Sequence, residues 1–225
     1  MSVNTQPRIF VHIPRNAGLT VRKSSSIYDL IVDIEPAYLK NKTYVEKLKT
    51  KLGDNYNSYH ARWRDIDPDL RSLYVPFAVV RNPWSRAVSQ YLLAKKLTEA
   101  GEVQMNTSSF ESFLEERHVW EDVEYMWHDP VRSFYPQTEY VIDSDEQIQC
   151  DCLRFEDLNL NLKKYFRVDN LSPRRNVNTE LKRDWKHMYN SKTRQIVADM
   201  YQKDIDTFGF DFDTPAQKNY WSSLK

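Results

Sequence analysis

The stretch Arg8–Val21, with the sequence RIFVHIPRNAGLTV, decides the fold because it joins a buried strand to a helix through a tight loop. Its first half is an apolar run long enough for one buried strand, formed by Ile9, Phe10, Val11 and Ile13. Pro14 ends the strand, since it has no N–H to donate to a ladder, and a helix is predicted to begin near Leu19. Such a junction collects unpaired backbone N–H groups, and Arg15 adds a positive charge. The sequence therefore predicts an anion-binding loop.

An ordinary strand-to-helix turn with a surface arginine is the alternative interpretation of the same residues. The loop is not a Walker A loop, because Leu19 follows Gly18 at the position where that motif needs lysine. A magnesium-dependent nucleoside triphosphatase or a kinase therefore has little support from this stretch.

A second strand-to-helix junction follows at Val75–Val80, with the sequence VPFAVV. Asn82 is a good N-cap and Pro83 a good first helical residue, and an apolar helical face follows, formed by Trp84, Ala87, Val88, Tyr91 and Leu92. Arg81 stands at the C-terminal end of the strand, where open α/β sheets bind ligands. Ser89 lies about 10 Å along the helix, so the two side chains could grip one anion beside it. A capping or ion-pairing arginine and an ordinary helix serine are the alternative.

Both junctions resemble the cofactor-binding elements of sulfotransferases that use 3′-phosphoadenosine 5′-phosphosulfate (PAPS). HIPRNAGLT at residues 12–20 resembles their HIPKTGGTS-type 5′-phosphosulfate loop, and RNPWSRAVSQY at residues 81–91 resembles their 3′-phosphate element. The segments VRSFYPQTEYV (131–141) and CLRFEDL (152–158) also resemble the family, and the carbohydrate sulfotransferases are the most similar. The resemblance implies a cofactor site made by Pro14, Arg15, Asn16, Ala17, Gly18, Leu19, Thr20, Arg81 and Ser89.

Three residues depart from the family pattern. Arg15 and Asn16 replace the usual lysine and threonine, and Leu19 replaces a threonine. A relative of the fold that binds a nucleotide or sugar without transferring a sulfuryl group is therefore the alternative function.

The resemblance also implies a fold and a reaction. We expect a single α/β domain over residues 1–225, with a core at about 8–212, a peripheral tail, and a mainly parallel sheet flanked by helices. We expect sulfuryl transfer from PAPS to a hydroxyl or amine, with a small molecule or a carbohydrate as the acceptor.

Two residues are candidates for the chemistry. Arg15 is placed to stabilise the charge on the leaving phosphate, although it cannot give up a proton. His60 lies between the two cofactor elements, where related carbohydrate enzymes have a histidine as the general base. The alternatives are a structural His60 and a carboxylate base in the same crevice. His12 is expected to be packed within the first strand, and the remaining histidines, His118, His128 and His187, match no motif.

The composition limits the kinds of partner that the protein is expected to bind. The 225 residues carry 32 basic and 32 acidic side chains, so global charge points neither to nucleic acid nor to an anionic membrane. The sequence has no membrane-spanning apolar run and no metal-ligand spacing, and its first residues, MSVNTQPR, lack the apolar core of a signal peptide, so we expect neither a membrane span nor a signal peptide. Cys150 and Cys152 are interpreted as buried thiols, which favours a cytoplasmic protein.

Several further elements are expected from local patterns. Arg174 and Arg175 lie in a basic loop that covers the adenosine phosphates, meets an acidic acceptor, or is simply solvated. The other expectations are a strand at Ile27–Ile34, a helix at Tyr44–Leu52 ended by Gly53, a helix at Phe110–Glu116, a helix capped by Asp157, and a final helix capped by Ser191 and ended by Gly209.

Overall fold

The structure is a computed structural model that describes residues 7–53, 56–171 and 185–213. Four strands form one parallel sheet: β1 (Arg8–Val11), β2 (Ile31–Asp33), β3 (Val75–Val80) and β4 (Asp151–Arg154). Their order across the sheet is β2-β1-β3-β4, so the chain moves to one side of β1 first and to the other side afterwards. A reversal of this kind opens a crevice at the C-terminal ends of β1 and β3.

Helices make up most of the remaining described residues. The α-helices are α1 (Gly18–Arg22), α2 (Lys42–Leu52), α3 (Pro68–Arg71), α4 (Pro83–Glu99), α5 (Phe110–Glu115), α6 (Arg117–Trp120), α7 (Thr138–Val141), α8 (Leu158–Phe166), α9 (Ser191–Met200) and α10 (Gln202–Phe208). Short 3₁₀ turns lie at Tyr28–Leu30, Pro36–Tyr38, Ser58–His60, Trp63–Asp65, Met126–His128 and Trp185–Met188.

Strands β1, β3 and β4 are covered on both faces, as the apolar runs of β1 and β3 require, whereas β2 is half-buried at the edge. Phe10 and Phe77, which are directly paired in the ladder, pack with α8 on one face. Ile9, Val11 and Val80 point to the opposite face, where the core includes Phe208 of α10. A third cluster joins α4 to α5 and α9. The expected fold class, α/β with a parallel sheet flanked by helices, is confirmed.

The predicted junction between β3 and α4 forms as expected. The side chain of Asn82 accepts hydrogen bonds from the backbone N–H groups of Trp84 and Ser85, at 3.1 and 3.2 Å, and Pro83 occupies the first helical position. The helix at residues 42–52 also ends as predicted, because Gly53 takes a φ of 81° that favours glycine.

Two predicted helix caps differ in the structure. Asp157 precedes α8, but its Oδ2 accepts from Arg154 Nη2 at 2.6 Å and makes no cap, because the arginine competes for the carboxylate. Asn190, not Ser191, caps α9, and its side chain accepts from the N–H of Thr193 at 2.8 Å.

One segment also differs from expectation. The stretch Ile27–Ile34 forms a 3₁₀ turn before the three-residue strand β2, since Tyr28 N–H turns back to Ser24 O at 2.9 Å. At the end of the expected core, the ring of Phe212 packs edge-on against Trp84 with 5.7 Å between centroids.

The basic loop with Arg174 and Arg175 and the tail residues 214–225 lie outside the described residues. Cys150 and Cys152 are buried free thiols, as predicted. Within the residues described, no helix is both long and apolar enough to cross a bilayer.

Candidate active site

The loop between β1 and α1 has an unusual backbone. Arg15 and Ala17 take φ values of 69° and 61°, a region that non-glycine residues rarely occupy. The turn is held by Asn16 N–H, which donates to Ile13 O at 3.3 Å, and by Thr20 N–H, which donates to Ala17 O at 2.9 Å. Alternating left- and right-handed residues turn successive N–H groups toward one point and form an anion-binding nest.

Four N–H groups of this loop are available to a ligand. Among the described residues, no hydrogen bond engages the backbone N–H of Arg15, Ala17, Gly18 or Leu19. The helix that follows has only five residues, so the aligned N–H groups, not a helix dipole, make this loop attractive to an anion. Such a group of N–H donors without partners is of the kind that attracts negatively charged oxygen atoms.

Two of the loop residues predicted to bind the cofactor, Asn16 and Thr20, have backbone N–H groups that are bonded within the turn. The backbone N–H of Asn16 is engaged within the turn, and its side chain is 1% exposed and points into the protein. Asn16 Nδ2 donates to Val79 O at 2.7 Å and to Gln137 Oε1 at 2.6 Å. The backbone N–H of Thr20 is also engaged within the turn. Asn16 thus anchors the loop to β3 and presents no side-chain donor to a ligand.

Two arginines of the second cofactor element, residues 81–91, donate hydrogen bonds to backbone carbonyls of the loop. Arg81 Nη1 donates to Arg15 O at 3.0 Å, and Arg86 Nε donates to Pro14 O at 3.2 Å. The two elements that sequence alone placed at one crevice are therefore in direct contact.

The side chain of Arg15 lies on Ser89. Its Nε and Nη2 donate to Ser89 Oγ at 3.2 and 3.0 Å. Burial, together with the charge of Arg86, lowers the pKa of Arg15 to about 10, so the guanidinium stays cationic at neutral pH. The crevice keeps a fixed positive charge at this point.

Arg81 and Ser89, the two residues expected to grip one anion, have different side-chain partners in the structure. Arg81 Nε donates to Ser85 Oγ at 2.9 Å, because Ser85 is one helical turn nearer to the end of β3. The guanidinium also lies over the ring of Phe155, 4.2 Å from its centroid. Arg15 lies between Arg81 and Ser89, since it contacts Ser89 through its side chain and Arg81 through its carbonyl oxygen.

Arg86 adds a buried charge behind the loop. Its side chain is fully buried, and Nη1 donates to Tyr135 O at 2.8 Å. Within the described part of the chain, Arg86 Nη2 has no hydrogen-bond partner. Buried positive charge of this kind favours an anion in the neighbouring crevice.

His60 is buried, with 4% of its surface exposed, at the end of the 3₁₀ turn Ser58–His60. His60 Nδ1 lies 2.7 Å from His12 O, and a carbonyl oxygen only accepts, so Nδ1 carries the proton. Nε2 then keeps its lone pair, which is the tautomer that a general base needs. Burial lowers the pKa of His60 to about 3, so the ring is neutral at physiological pH.

His12 is packed in the core of this site, as predicted. Its ring stacks between those of Phe10 and Tyr59, at centroid distances of 5.3 and 5.2 Å, and lies 4.4 Å from the His60 ring. A Cβ atom added to Gly18 would lie 1.6 Å from His12 Nε2. This close approach explains why the loop needs glycine at position 18.

His128, which matches no motif, supports the turn that carries His60. Its Nδ1 donates to Asn57 O at 2.9 Å, and its Nε2 accepts from Tyr44 OH at 3.0 Å. Asn57 immediately precedes the 3₁₀ turn Ser58–His60. His118 lies elsewhere, beside the exposed carboxylates of Glu115 and Glu121.

Sequence reasoning missed the buried residues that join these parts, above all Gln137 and Asp204. A signal was present for Gln137, which lies in the family-like segment 131–141, but the segment suggested no role. Asp204 lies within the predicted final helix, where a single acidic residue carries no signal of its own. Within the described residues, no group of three or more histidine, cysteine or carboxylate side chains is placed to hold a metal ion.

Taken together, the parallel sheet, the nest and the arginines define an α/β protein with a positively charged loop at the switch point of its sheet. Comparison with protein families identifies which class this is. The model described as the sulfotransferase family matches residues 9–211. The chain therefore belongs to the sulfotransferase family, and its expected family is confirmed.

A solved structure is also similar to this chain. The crystal structure of a sulfotransferase from Alicyclobacillus acidocaldarius is 13% identical, covers 92% of this chain and 97% of its own, and has a TM-score of 0.40. A comparison with curated proteins found no match.

Proposed function

We propose that the protein transfers a sulfuryl group from PAPS to the hydroxyl or amine of an acceptor, which we take to be a carbohydrate. Family membership supports sulfuryl transfer in general. The observation that carries the choice of donor is the direct contact between the nest and the Arg81 element, through Arg81 Nη1 and Arg15 O. A donor with anionic groups at two positions needs both elements within the span of one nucleotide.

The residues present fit such a donor. The N–H groups of Arg15, Ala17, Gly18 and Leu19 would bind oxygens of the 5′-phosphosulfate. Arg81 and Ser89 would bind the 3′-phosphate. The N–H groups and the hydroxyl stabilise the anion by hydrogen bonds and the Arg81 guanidinium by its charge, without any change in protonation.

Arg15 is proposed to act at the leaving side of the reaction. The acceptor oxygen or nitrogen forms a bond to sulfur while the bond from sulfur to the 5′-phosphate oxygen breaks, so negative charge grows on that phosphate. A guanidinium that remains cationic at neutral pH stabilises this charge. The catalytic contribution is thus positional and electrostatic, as in phosphoryl transfer.

His60 is proposed to accept the proton of the acceptor hydroxyl at Nε2. The supporting observation is its hydrogen bond to His12 O, which holds the proton on Nδ1. Burial lowers its pKa, and the neighbouring charges of Arg15 and Arg22 lower it further. A bound anionic donor offsets those two charges, which makes the imidazole a stronger base when the donor is in place.

The test uses two measurements on the same preparation. Adenosine 3′,5′-bisphosphate, the desulfated product, is titrated calorimetrically, and labelled sulfate is followed from PAPS to a panel of sugars, amines and phenols. Binding together with transfer to a sugar supports the proposal. A wild-type protein that does not bind the bisphosphate refutes the choice of donor. Binding without transfer to any panel member favours the inactive relative, and transfer to a phenol alone corrects the acceptor class.

The proposal also includes the setting of the reaction. Arginines supply the charge that a metal ion would otherwise contribute, so we expect transfer to continue in the presence of a chelator. The two buried free thiols fit a reducing compartment, and we propose the cytoplasm.

A further inference from the structure

One buried amide connects the two halves of the site. Gln137, which is 0% exposed, lies immediately before α7. Its Oε1 accepts from Asn16 Nδ2 at 2.6 Å and from the backbone N–H of Arg81 at 2.8 Å. Its Nε2 donates to Arg81 O at 2.8 Å and to Asp204 Oδ2 at 3.2 Å. All four hydrogen-bonding positions of the amide are therefore used, and its orientation is fixed.

Asp204, on α10, holds Gln137 from the other side. Its Oδ2 also accepts from the backbone N–H of Gln137 at 2.8 Å, and its Oδ1 accepts from Thr138 N–H at 2.8 Å. The carboxylate is 0% exposed. Because three N–H groups from one turn converge on it, the position of Gln137 follows the position of α10.

Asn16 is suited to this connection. It donates from one nitrogen to both Val79 O and Gln137 Oε1. It keeps this orientation although its Oδ1 is buried with no partner among the described residues, which indicates that the two donated bonds outweigh that loss. The threonine usual in the family carries one hydroxyl proton and cannot serve both acceptors. Asn16, which stands where the family usually has threonine, is therefore matched to the hydrogen bond with Gln137.

From these contacts we infer that Gln137 is a positioning residue that fixes the nest and the end of β3 relative to each other, with Asp204 as its support. It touches no ligand itself. It acts through Asn16 in the loop and through both backbone polar groups of Arg81. The inference rests on the proposed function only in naming the ligand whose binding the two elements share.

The test compares Gln137→Met, which keeps the length of the side chain but removes its four hydrogen bonds, with Tyr165→Phe. Tyr165 OH donates to Asp151 Oδ2 at 2.9 Å at the N-terminal end of β4, so this control also loses a buried hydrogen bond, away from the crevice. Affinity for adenosine 3′,5′-bisphosphate is measured calorimetrically, and thermal unfolding is recorded for each variant. We expect Gln137→Met to weaken binding at least tenfold and Tyr165→Phe to leave it within twofold.

A double-variant cycle separates positioning from general destabilisation. If Gln137 acts through Arg81, Gln137→Met should weaken binding much less in an Arg81→Ala background than in the wild type. Asn16→Thr, which retains one donor, should show an intermediate loss and serves if Gln137→Met does not fold. Unchanged affinity in Gln137→Met, or losses that simply multiply in the double variant, would overturn the inference.

Hydrogen exchange gives a readout that does not depend on the nucleotide. Gln137→Met should speed amide exchange in peptides covering residues 12–22 and 77–86, since Arg81 N–H loses its acceptor. If the wild type fails to bind the bisphosphate, the proposed donor is wrong, and faster exchange in these peptides still supports the positioning role. Exchange equal to that of Tyr165→Phe would reject it.

Discussion

Gly18→Ala tests how closely the nest is packed against the core. The backbone of Gly18 is helical, so alanine adds no backbone strain there. The new methyl group would lie 1.6 Å from His12 Nε2 and 2.1 Å from two carbon atoms of the same ring. Contacts of this length do not occur between unbonded atoms, so either the ring or the loop must move.

The ring of His12 has little room to move. It is 6% exposed and lies in a stack with Phe10 and Tyr59, with His60 against its side. Overpacking a core commonly costs about 1–3 kcal/mol, and a contact this short belongs near the upper value. For a chain of this size each kcal/mol lowers the melting temperature by roughly 2–4 °C, so we expect a decrease of about 6–12 °C.

The assay combines thermal unfolding with titration of adenosine 3′,5′-bisphosphate. Because the loop carries the N–H groups of the nest, its displacement should weaken binding by at least tenfold as well as destabilise the fold. Gly101→Ala is the matched control, since Gly101 has a φ of 73° and nothing within 4 Å of the added Cβ. That variant pays only backbone strain of about 1–2 kcal/mol and should bind the nucleotide normally.

The double variant His12→Ala, Gly18→Ala tests whether contact with the His12 ring causes the loss of stability. Removing the ring opens the space that the methyl group needs, so the double variant should be more stable than the sum of the single effects by about 1–3 kcal/mol. Strict additivity, or a Gly18→Ala protein with wild-type melting temperature and affinity, would refute the reasoning.

The further predictions concern the charged and titrating groups. Arg81→Ala should weaken adenosine 3′,5′-bisphosphate binding at least tenfold and Ser89→Ala by less, since loss of a charged hydrogen bond costs about 1.5–3 kcal/mol; equal affinities in calorimetry would reject the 3′-phosphate assignment. Arg15→Ala should lower both donor affinity and the transfer rate, whereas Arg15→Lys should keep substantial activity, and an inactive lysine variant in the sulfate-transfer assay would argue that charge alone is insufficient. His60→Ala should leave nucleotide binding intact and lower turnover by about 10²–10⁴-fold, and wild-type turnover in this variant would make His60 structural. Because burial lowers the pKa of His60 to about 3, kcat/KM of the wild type should not fall near pH 6.5, the ordinary value. The unfolded chain takes up this proton first, so stability should be full above about pH 6.5 and decrease as pH falls toward 3, which denaturant titrations at several pH values can measure.

The parts of the site that sequence could predict are those with local signals. The strand at residues 75–80 is a continuous apolar run, and Asn82 with Pro83 fixes where the next helix begins. Parallel strands place their C-terminal ends at one edge, which brings Arg15 and Arg81 together without further information.

The parts that sequence could not predict depend on distant contacts. Gln137 meets Asn16 across 121 residues of chain, and no periodicity or spacing encodes that pairing. The burial of His60 was missed for a related reason. Its segment is polar, but Arg62 pairs with Asp65 at 2.8 Å, so the turn after His60 can pack inside despite its charges.

The N-cap of α9 could not be predicted from neighbouring residue types alone. Asn190 and Ser191 are adjacent, and both residue types are good N-caps. Thr193 decides between them, because its side chain and that of Asn190 satisfy each other's backbone N–H groups.

The dependence of Gln137 on Asp204 has a consequence for the order in which the protein is assembled. All residues proposed to touch the donor are synthesised by position 89, yet the carboxylate that seats their connecting amide arrives 115 positions later. A ribosome-bound chain that has produced β1, β3 and α4 therefore carries every group proposed to bind the donor, without the element proposed to align them. Fragments truncated before α10 should keep the motifs and lose nucleotide affinity, and fusion partners or split-protein designs for this chain should leave residues 202–208 attached to the rest.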